Sequence, residues 1–142
     1  MIKLREILLE QQGYQYKEDV PQRSYSEEDD TLMSADYLFN TDKHKYRVTI
    51  TSFEYNSDDK EYDLVFGVDR GIFNAVDTLQ LTNEGNIRAI IATLSNIIYQ
   101  FITEHKANII HIEGTDDKRK RVYKALFPKY LDPSIRSKVH IS

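Results

Sequence analysis

Ile109-Ile110-His111-Ile112-Glu113-Gly114-Thr115-Asp116-Asp117-Lys118-Arg119-Lys120-Arg121-Val122-Tyr123-Lys124 is the stretch whose reading decides the fold class. The run from Ala107 to Ile112 is short and nearly all apolar, as a strand central in a sheet should be. Gly114 supplies a turn, and a helix then opens at Thr115 or Asp116, either of which can cap it. The inner face of that helix is expected to carry Val122, Ala125, Leu126 and Tyr130, with Pro128 perturbing the last turn. Just upstream, Ile87, Ile90, Ile91, Leu94, Ile97, Ile98, Phe101 and Ile102 fill one helical stripe behind the capping residue Asn86. The C-terminal half therefore predicts helix, strand, helix, and Lys138 to Ile141 adds an edge strand.

Working outward, Tyr46, Val48 and Ile50 alternate with polar residues, and so do Tyr62, Leu64, Phe66 and Val68. Period-two alternation with one apolar face is the mark of strands, and the turn Asn56-Ser57-Asp58-Asp59 joins the two into a hairpin. Phe53 breaks the parity and suggests a bulge, and Gly67 leaves a gap on the opposite face. A strand also begins near Tyr37-Leu38-Phe39. Residues 69–77 are expected to form a longer connection before another strand at Thr78-Leu79-Gln80-Leu81-Thr82, followed by a turn at Asn83-Glu84-Gly85. At the N-terminus Met1, Leu4, Ile7 and Leu8 make a short amphipathic helix that Gly13 stops. Between Gly13 and Ala35, Pro21, Ser24, Ser26 and Glu27-Glu28-Asp29-Asp30 read as a polar tether.

The expected organisation is α+β: a mainly antiparallel sheet, two C-terminal-half helices packed on one face, and a short N-terminal helix. By residues this is 1–12 helix, 13–35 tether and 36–142 a single domain. A chain of 142 residues can bury one ordinary core without metals or disulfides. It has no cysteine, which removes thiolate chemistry and disulfides. Its net charge of -4 opposes general attraction to phosphate backbones or anionic membranes. The N-terminal residues are interrupted by charge where a secretory signal needs an apolar run. A soluble protein not exported by a signal peptide is expected, with no membrane partner.

Chemistry-bearing motifs are few. Gly114 precedes a helix N-terminus, an arrangement that can hold an anion, but Asp116 and Asp117 already satisfy and electrostatically oppose that position. The glycine-rich and Gly-Lys-Ser/Thr phosphate loops are absent. The four histidines, His44, His105, His111 and His140, lack metal-ligand spacing, and neither acidic run has the alternating ligands of a calcium loop. No Gly-x-Ser-x-Gly elbow anchors a hydrolase triad. No cofactor, metal or catalytic residue is therefore assigned. Lys118, Arg121 and Lys124 share one side of the basic helix and form a candidate binding surface for an acidic protein or for nucleic acid, against the plainer reading of a solvated helix. Tyr14, Tyr16 and Tyr25 lie off the core pattern; they suit a protein interface or packing of the N-terminal segment across its own domain.

From Tyr37 to about Tyr130 the chain resembles an uncharacterised family of small bacterial and phage proteins. The resemblance is carried by Tyr37 and Phe39; by Tyr62, Leu64, Phe66 and Gly67; by Asn83, Gly85 and Asn86; by Thr93 and Leu94; and by Gly114, Thr115, Arg119, Arg121, Val122, Tyr123 and Lys124. Asn86 stands where that family usually has Asp, and Asp116 and Asp117 stand where it has neutral residues. The resemblance implies the fold and leaves the activity open. Residues 1–10 are similar to capsid-targeting peptides of T-even-like phage internal head proteins, which implies a cleavage site formed by Leu8, Leu9 and Glu10. Together these readings lead to a non-enzymatic, phage-encoded, protein-binding or virion-associated protein with a viral or host protein partner. The alternatives are nucleic-acid binding through Lys118–Lys124 and a small phosphate-processing enzyme built on the Gly114 turn.

Overall fold

A computed structural model describes residues 4–28, 30–52, 60–69, 76–77, 86–114 and 116–142. The elements run α1 (Leu4–Gln12), β1 (Tyr16–Glu18), β2 (Ser24–Tyr25), β3 (Leu32–Asn40), β4 (Lys45–Ser52), β5 (Glu61–Asp69), β6 (Val76–Asp77), α2 (Ile87–His105), β7 (Ile109–Ile112), α3 (Asp117–Tyr130) and β8 (Val139–Ile141). The described strands form one mixed, mostly antiparallel sheet in the order β1-β3-β4-β5-β7-β8, with β2 also on β3 and β6 also on β5. The fold class is α+β, as the hydrophobic pattern predicts.

The antiparallel half is a meander whose register places most of the large apolar side chains on one face. Phe39 faces Tyr46 and Tyr46 faces Val68; Tyr37 faces Val48 and Val48 faces Phe66; Ala35 faces Ile50 and Ile50 faces Leu64. A one-residue slip would turn the whole set outward, so this register is strongly specified. α2 lies on that face and buries Ile90, Ile91, Leu94, Ile97, Ile98, Phe101 and Ile102. Each such side chain contributes about 1.5–3 kcal/mol of burial. The helix begins where the Asn86 side chain accepts from the Ala89 amide at 3.2 Å. It ends at Lys106, which adopts a left-handed conformation (φ 57°). The Asn108 amide then donates to the Lys60 carbonyl at 3.0 Å, setting the start of β7 beside the start of β5. Because α2 carries the chain back across the sheet, β7 runs parallel to β5, and β8 parallel to β7 after the second helical crossover, α3.

Two expectations need correction. The segment 13–35 is not a tether: β1 pairs with β3 as Tyr16–Phe39, Lys17–Leu38 and Glu18–Tyr37, β2 pairs with β3 nearer its start, and β3 itself begins at Leu32. The polar composition hid strands that are short and lie at the sheet edge, where one side faces water. The helix that precedes them is docked as well. Gly13, at φ +79°, ends α1 by donating to the Leu9 carbonyl at 2.8 Å. A Cβ there would lie 2.7 Å from the Thr93 nitrogen, so the turn is pressed against α2. The Tyr14 amide donates to Thr93 Oγ1 at 2.7 Å and Asn96 Nδ2 to the Gln12 carbonyl at 2.8 Å. On the outer side of α1, Leu4, Ile7 and Leu8 remain 71%, 37% and 42% exposed.

The second correction concerns α3. Its buried residues are Arg119, Tyr123, Leu126 and Phe127, while Val122 and Tyr130 are half-buried and Ala125 faces out. The stripe is rotated because a long arginine stem and a phenol ring pack inward, with Tyr123 against Phe66 and Phe127. Asp116 explains how Arg119 can be buried. Its carboxylate caps the helix by accepting from the Arg119 amide at 2.8 Å and from Arg119 Nη1 at 2.7 Å. The expected bulge at Phe53, the turn 56–59, the strand 78–82 and the turn 83–85 lie outside the described residues.

On the sheet face away from the helices a charged cluster replaces an apolar layer. Arg47 is 7% exposed and sits opposite Gly67, whose missing side chain leaves room for it. Arg47 Nη1 donates to Asp36 at 2.6 Å, and Asp19 and Asp69 lie at 3.4 and 3.6 Å. Asp19 reaches the cluster because its amide is tied to the Asp36 carbonyl.

Candidate functional site

Two features meet at the C-terminal end of β7. The first is the outward side of α3. Lys118, Arg121 and Lys124 are all exposed, and none of them has an ion-pair partner among the described residues. Arg119, in the same basic run, is neutralised by Asp116 and withdrawn into the protein. Three-residue spacing spreads the free charges over about 9 Å of helix axis. That is close to the roughly 8 Å Debye length at physiological salt, so a partner meets them as one positive patch. An acidic molecule thus carries a local basic surface.

The Gly114 turn is committed to structure. Its amide donates to the Ser142 carbonyl at 2.9 Å, and a Cβ would meet the Lys120 nitrogen at 2.6 Å, so the close approach of α3 requires glycine here. The helix N-terminus spends its Arg119 amide on Asp116 and its Lys120 amide on the Asp116 carbonyl. Thr115 lies outside the described residues.

The second feature is a cleft of about 180 Å³ lined by Asp63, Leu64, Val65, Phe66, His111, Ile112, Glu113 and Tyr123. It exists because the parallel ladder between β5 and β7 stops at the pair Leu64–Ile112 while β5 continues to Asp69. Open parallel sheets bind ligands at this place, beyond the carboxyl ends of the strands. The Asp63 carboxyl is raised above the usual carboxylate range, first by burial and further by Glu113, with His111 acting in the opposite direction. Burial also pushes the Tyr123 phenol up to about 12. His111 lies 3.6 Å from Glu61 and meets the His140 ring edge-on at 5.5 Å. Among the described residues no group of three or more acidic or histidine side chains is placed to hold a metal ion. Nor is any helix long and apolar enough to cross a membrane.

The tyrosines divide. Tyr14 stacks on Phe39 at 6.0 Å, and Tyr16 meets Tyr37 edge-on while its hydroxyl reaches Gln100 Oε1 at 2.7 Å. Both serve the attachment of the N-terminal segment. Tyr25 is 49% exposed, its hydroxyl accepting from Arg23 Nη1 at 3.2 Å. Arg23 is clamped by Glu18 and Glu104, which ties β1 to α2. Leu8, Leu9 and Glu10 lie within α1, Leu8 exposed and the other two half-buried. The cleft was not singled out from sequence. The signal available was the one-sided apolar pattern of Tyr62 to Val68, which outlasts the four residues of its parallel neighbour.

Residues 21–142 match a family described as a family of unknown function (DUF6934), and the chain belongs to that family. The match takes in every residue from Tyr37 to Tyr130 on which the sequence resemblance rests, and leaves α1 and β1 outside it. No curated protein and no solved structure matches the chain.

Proposed function

We propose that this member of the DUF6934 family is a protein-binding protein, non-enzymatic in this role, whose contact surface is the outward side of α3. The observation that carries the reading is the exposure of Lys118, Arg121 and Lys124 with no carboxylate paired to them among the described residues, beside an Arg119 that is buried and paired with Asp116. Solvated helix faces usually distribute their charges in opposite-sign pairs. A run of unpaired cations on a molecule of net charge -4 is suited to an acidic partner.

Nucleic acid fits less well. Three cations neutralise about three phosphates, against roughly six to ten in strong non-specific binders, and the rest of the molecule repels the backbone. The exposed apolar row Leu4, Ile7 and Leu8 supplies a second place where protein can dock, and it agrees better with a docking helix than with a detachable one. Removal of residues 1–10 at a Leu8-Leu9-Glu10 site, and a phage or virion setting, remain part of the reading only through the N-terminal resemblance. A protease would have to unwind α1 to reach that bond.

The test compares the native chain with K118E/R121E/K124E in binding to an acidic decapeptide and to a DNA duplex of random sequence. Binding of the peptide that is lost in the triple variant, with DNA bound more weakly than the peptide, supports the proposal. Tighter binding of DNA, with an affinity that falls steeply with salt, overturns it in favour of nucleic-acid recognition.

A further inference from the structure

The free cations of α3 have a counterpart in the same chain. Between β2 and β3 the backbone folds into a tight turn: the Ser26 amide donates to the Thr31 carbonyl at 2.8 Å, the Asp30 amide to the Ser26 carbonyl at 3.1 Å, and the Glu28 amide to Ser26 Oγ at 3.3 Å. Asp30 closes it in the left-handed region (φ 59°), which aspartate tolerates better than most residues. These bonds hold the turn in one shape, so Glu27, Glu28 and Asp30, all exposed, are presented as a group. None of the three carboxylates has an ion-pair partner among the described residues.

Topology keeps the two groups apart within one chain. β3 and β5 are both antiparallel to β4, and β7 is parallel to β5, so β3, β5 and β7 all run the same way. The acidic turn precedes β3 and stands at the end of the sheet where these strands begin, whereas α3 opens just after β7 ends. Three strand spacings, about 14 Å, also separate β3 from β7 across the sheet. An ion pair needs a separation of about 4 Å or less. The turn of one chain therefore cannot reach its own α3, but the turn of another copy can.

We infer that the acidic partner of the α3 patch is the turn carrying Glu27, Glu28 and Asp30 on a second copy of this chain, docked head to tail. This rests on the reading of α3 as a protein-contact surface and names what that surface meets. The two halves agree in size: residues 27 to 30 span at most about 10 Å, against about 9 Å for the three cations along the helix. They also agree in number, three carboxylates to three cations. Whole molecules of net charge -4 repel one another, but their centres stay roughly 30 Å apart, well beyond the Debye length of about 10 Å at 0.1 M salt, while paired groups at contact lie inside it. Exposed ion pairs are individually weak, so the association is reversible, with a dissociation constant of roughly 1 mM. A head-to-tail pair leaves one patch and one turn open, and growth past two copies follows unless the rotation closes a ring.

The test is sedimentation of the full chain from about 10 µM to about 1 mM, in about 0.1 M and about 1 M salt. At the lower salt the weight-average mass should rise by about half over the monomer at the highest concentration, and the higher salt should remove most of that rise. K118E/R121E/K124E and E27K/E28K should each stay monomeric, and an equimolar mixture of the two should associate again, because the acidic helix of one then meets the basic turn of the other. E27K/E28K brings the net charge from -4 to 0, each Glu→Lys change adding two units. Relief of general repulsion would make that variant associate more, so its loss of association reports the turn itself. The inference is overturned if the native chain stays monomeric, if either variant associates as the native chain does, or if the mixture stays monomeric. A native chain that binds the acidic decapeptide yet stays monomeric sinks this inference and leaves the proposed function standing; failure to bind the peptide as well sinks both.

Discussion

Gly13→Ala should release the N-terminal helix from the rest of the molecule. At φ +79° an L-residue pays about 1–2 kcal/mol for the left-handed conformation alone. The added methyl would also stand 2.7 Å from the nitrogen and 2.9 Å from the Cα of Thr93, both backbone atoms inside α2. α2 is anchored by a wholly buried stripe and will not yield, so the N-terminal segment must move away. It then gives up the Tyr14 amide bond to Thr93 (2.7 Å) and the Asn96 bond to the Gln12 carbonyl (2.8 Å). At about 0.5–1.5 kcal/mol each, with the helix-end bond of Gly13 to Leu9 added, docking weakens by about 2–4 kcal/mol. Hydrogen exchange read by mass spectrometry isolates this effect. Amides of residues 5–14 should exchange at least about thirtyfold faster, the ratio corresponding to about 2 kcal/mol. β4 and β5 should keep their protection, since the meander does not depend on α1. Unchanged protection over residues 5–14 would refute the reasoning and restore a loosely held helix.

Asp36→Ala leaves Arg47 buried without its closest partner and should cost about 3 kcal/mol, the lower part of the usual range because Asp19 and Asp69 still face it at 3.4 and 3.6 Å. Chemical denaturation should show a much smaller loss for Asp36→Asn, which keeps a hydrogen-bond acceptor. His105 is lowered from its ordinary value chiefly by burial, despite Glu104 beside it, so its neutral form is the one favoured in the folded state. Its contribution to stability is therefore present above about pH 6.5 and lost as pH falls through that value toward the lowered one; urea midpoints at pH 7.5 and 5.5 should differ less in His105→Gln than in the native chain. Asp63 has the opposite sign for a carboxylate: being raised, it weakens the folded state at neutral pH. Asp63→Asn should be more stable than the native chain at pH 7, with the gain vanishing below about pH 3.9.

Much of this architecture was legible because long apolar periodicities leave little choice. The stripe from Ile87 to Ile102 could only be a core helix, and the alternations through Tyr46–Ile50 and Tyr62–Val68 could only share a face. The register of the hairpin follows from them. β1 and β2 were not legible because edge strands need only one satisfied side, and Tyr16-Lys17-Glu18 carries no alternation long enough to register. The docking of α1 depends on a backbone-to-backbone approach at Gly13, which no side-chain pattern reports. On α3 the three outward cations were found from spacing alone. The burial of Arg119 and Tyr123 runs against hydropathy and needed the Asp116 cap to make sense. The cleft was invisible for another reason: it is made by the difference in length between β5 and β7, and by Tyr123, which arrives from a helix that starts after β7 has ended.

The central claim, that the outward side of α3 meets a protein, is tested most directly by placing a photo-crosslinking amino acid at Arg121 in the full chain and irradiating cells that make it. A second chain with the same group at Val65, exposed on the far face of the sheet, provides the reference. The account predicts a discrete protein adduct from position 121 that is absent from position 65 and disappears when Lys118 and Lys124 are changed to Glu. Nucleic-acid adducts at position 121, or the same adducts from both positions, would contradict it.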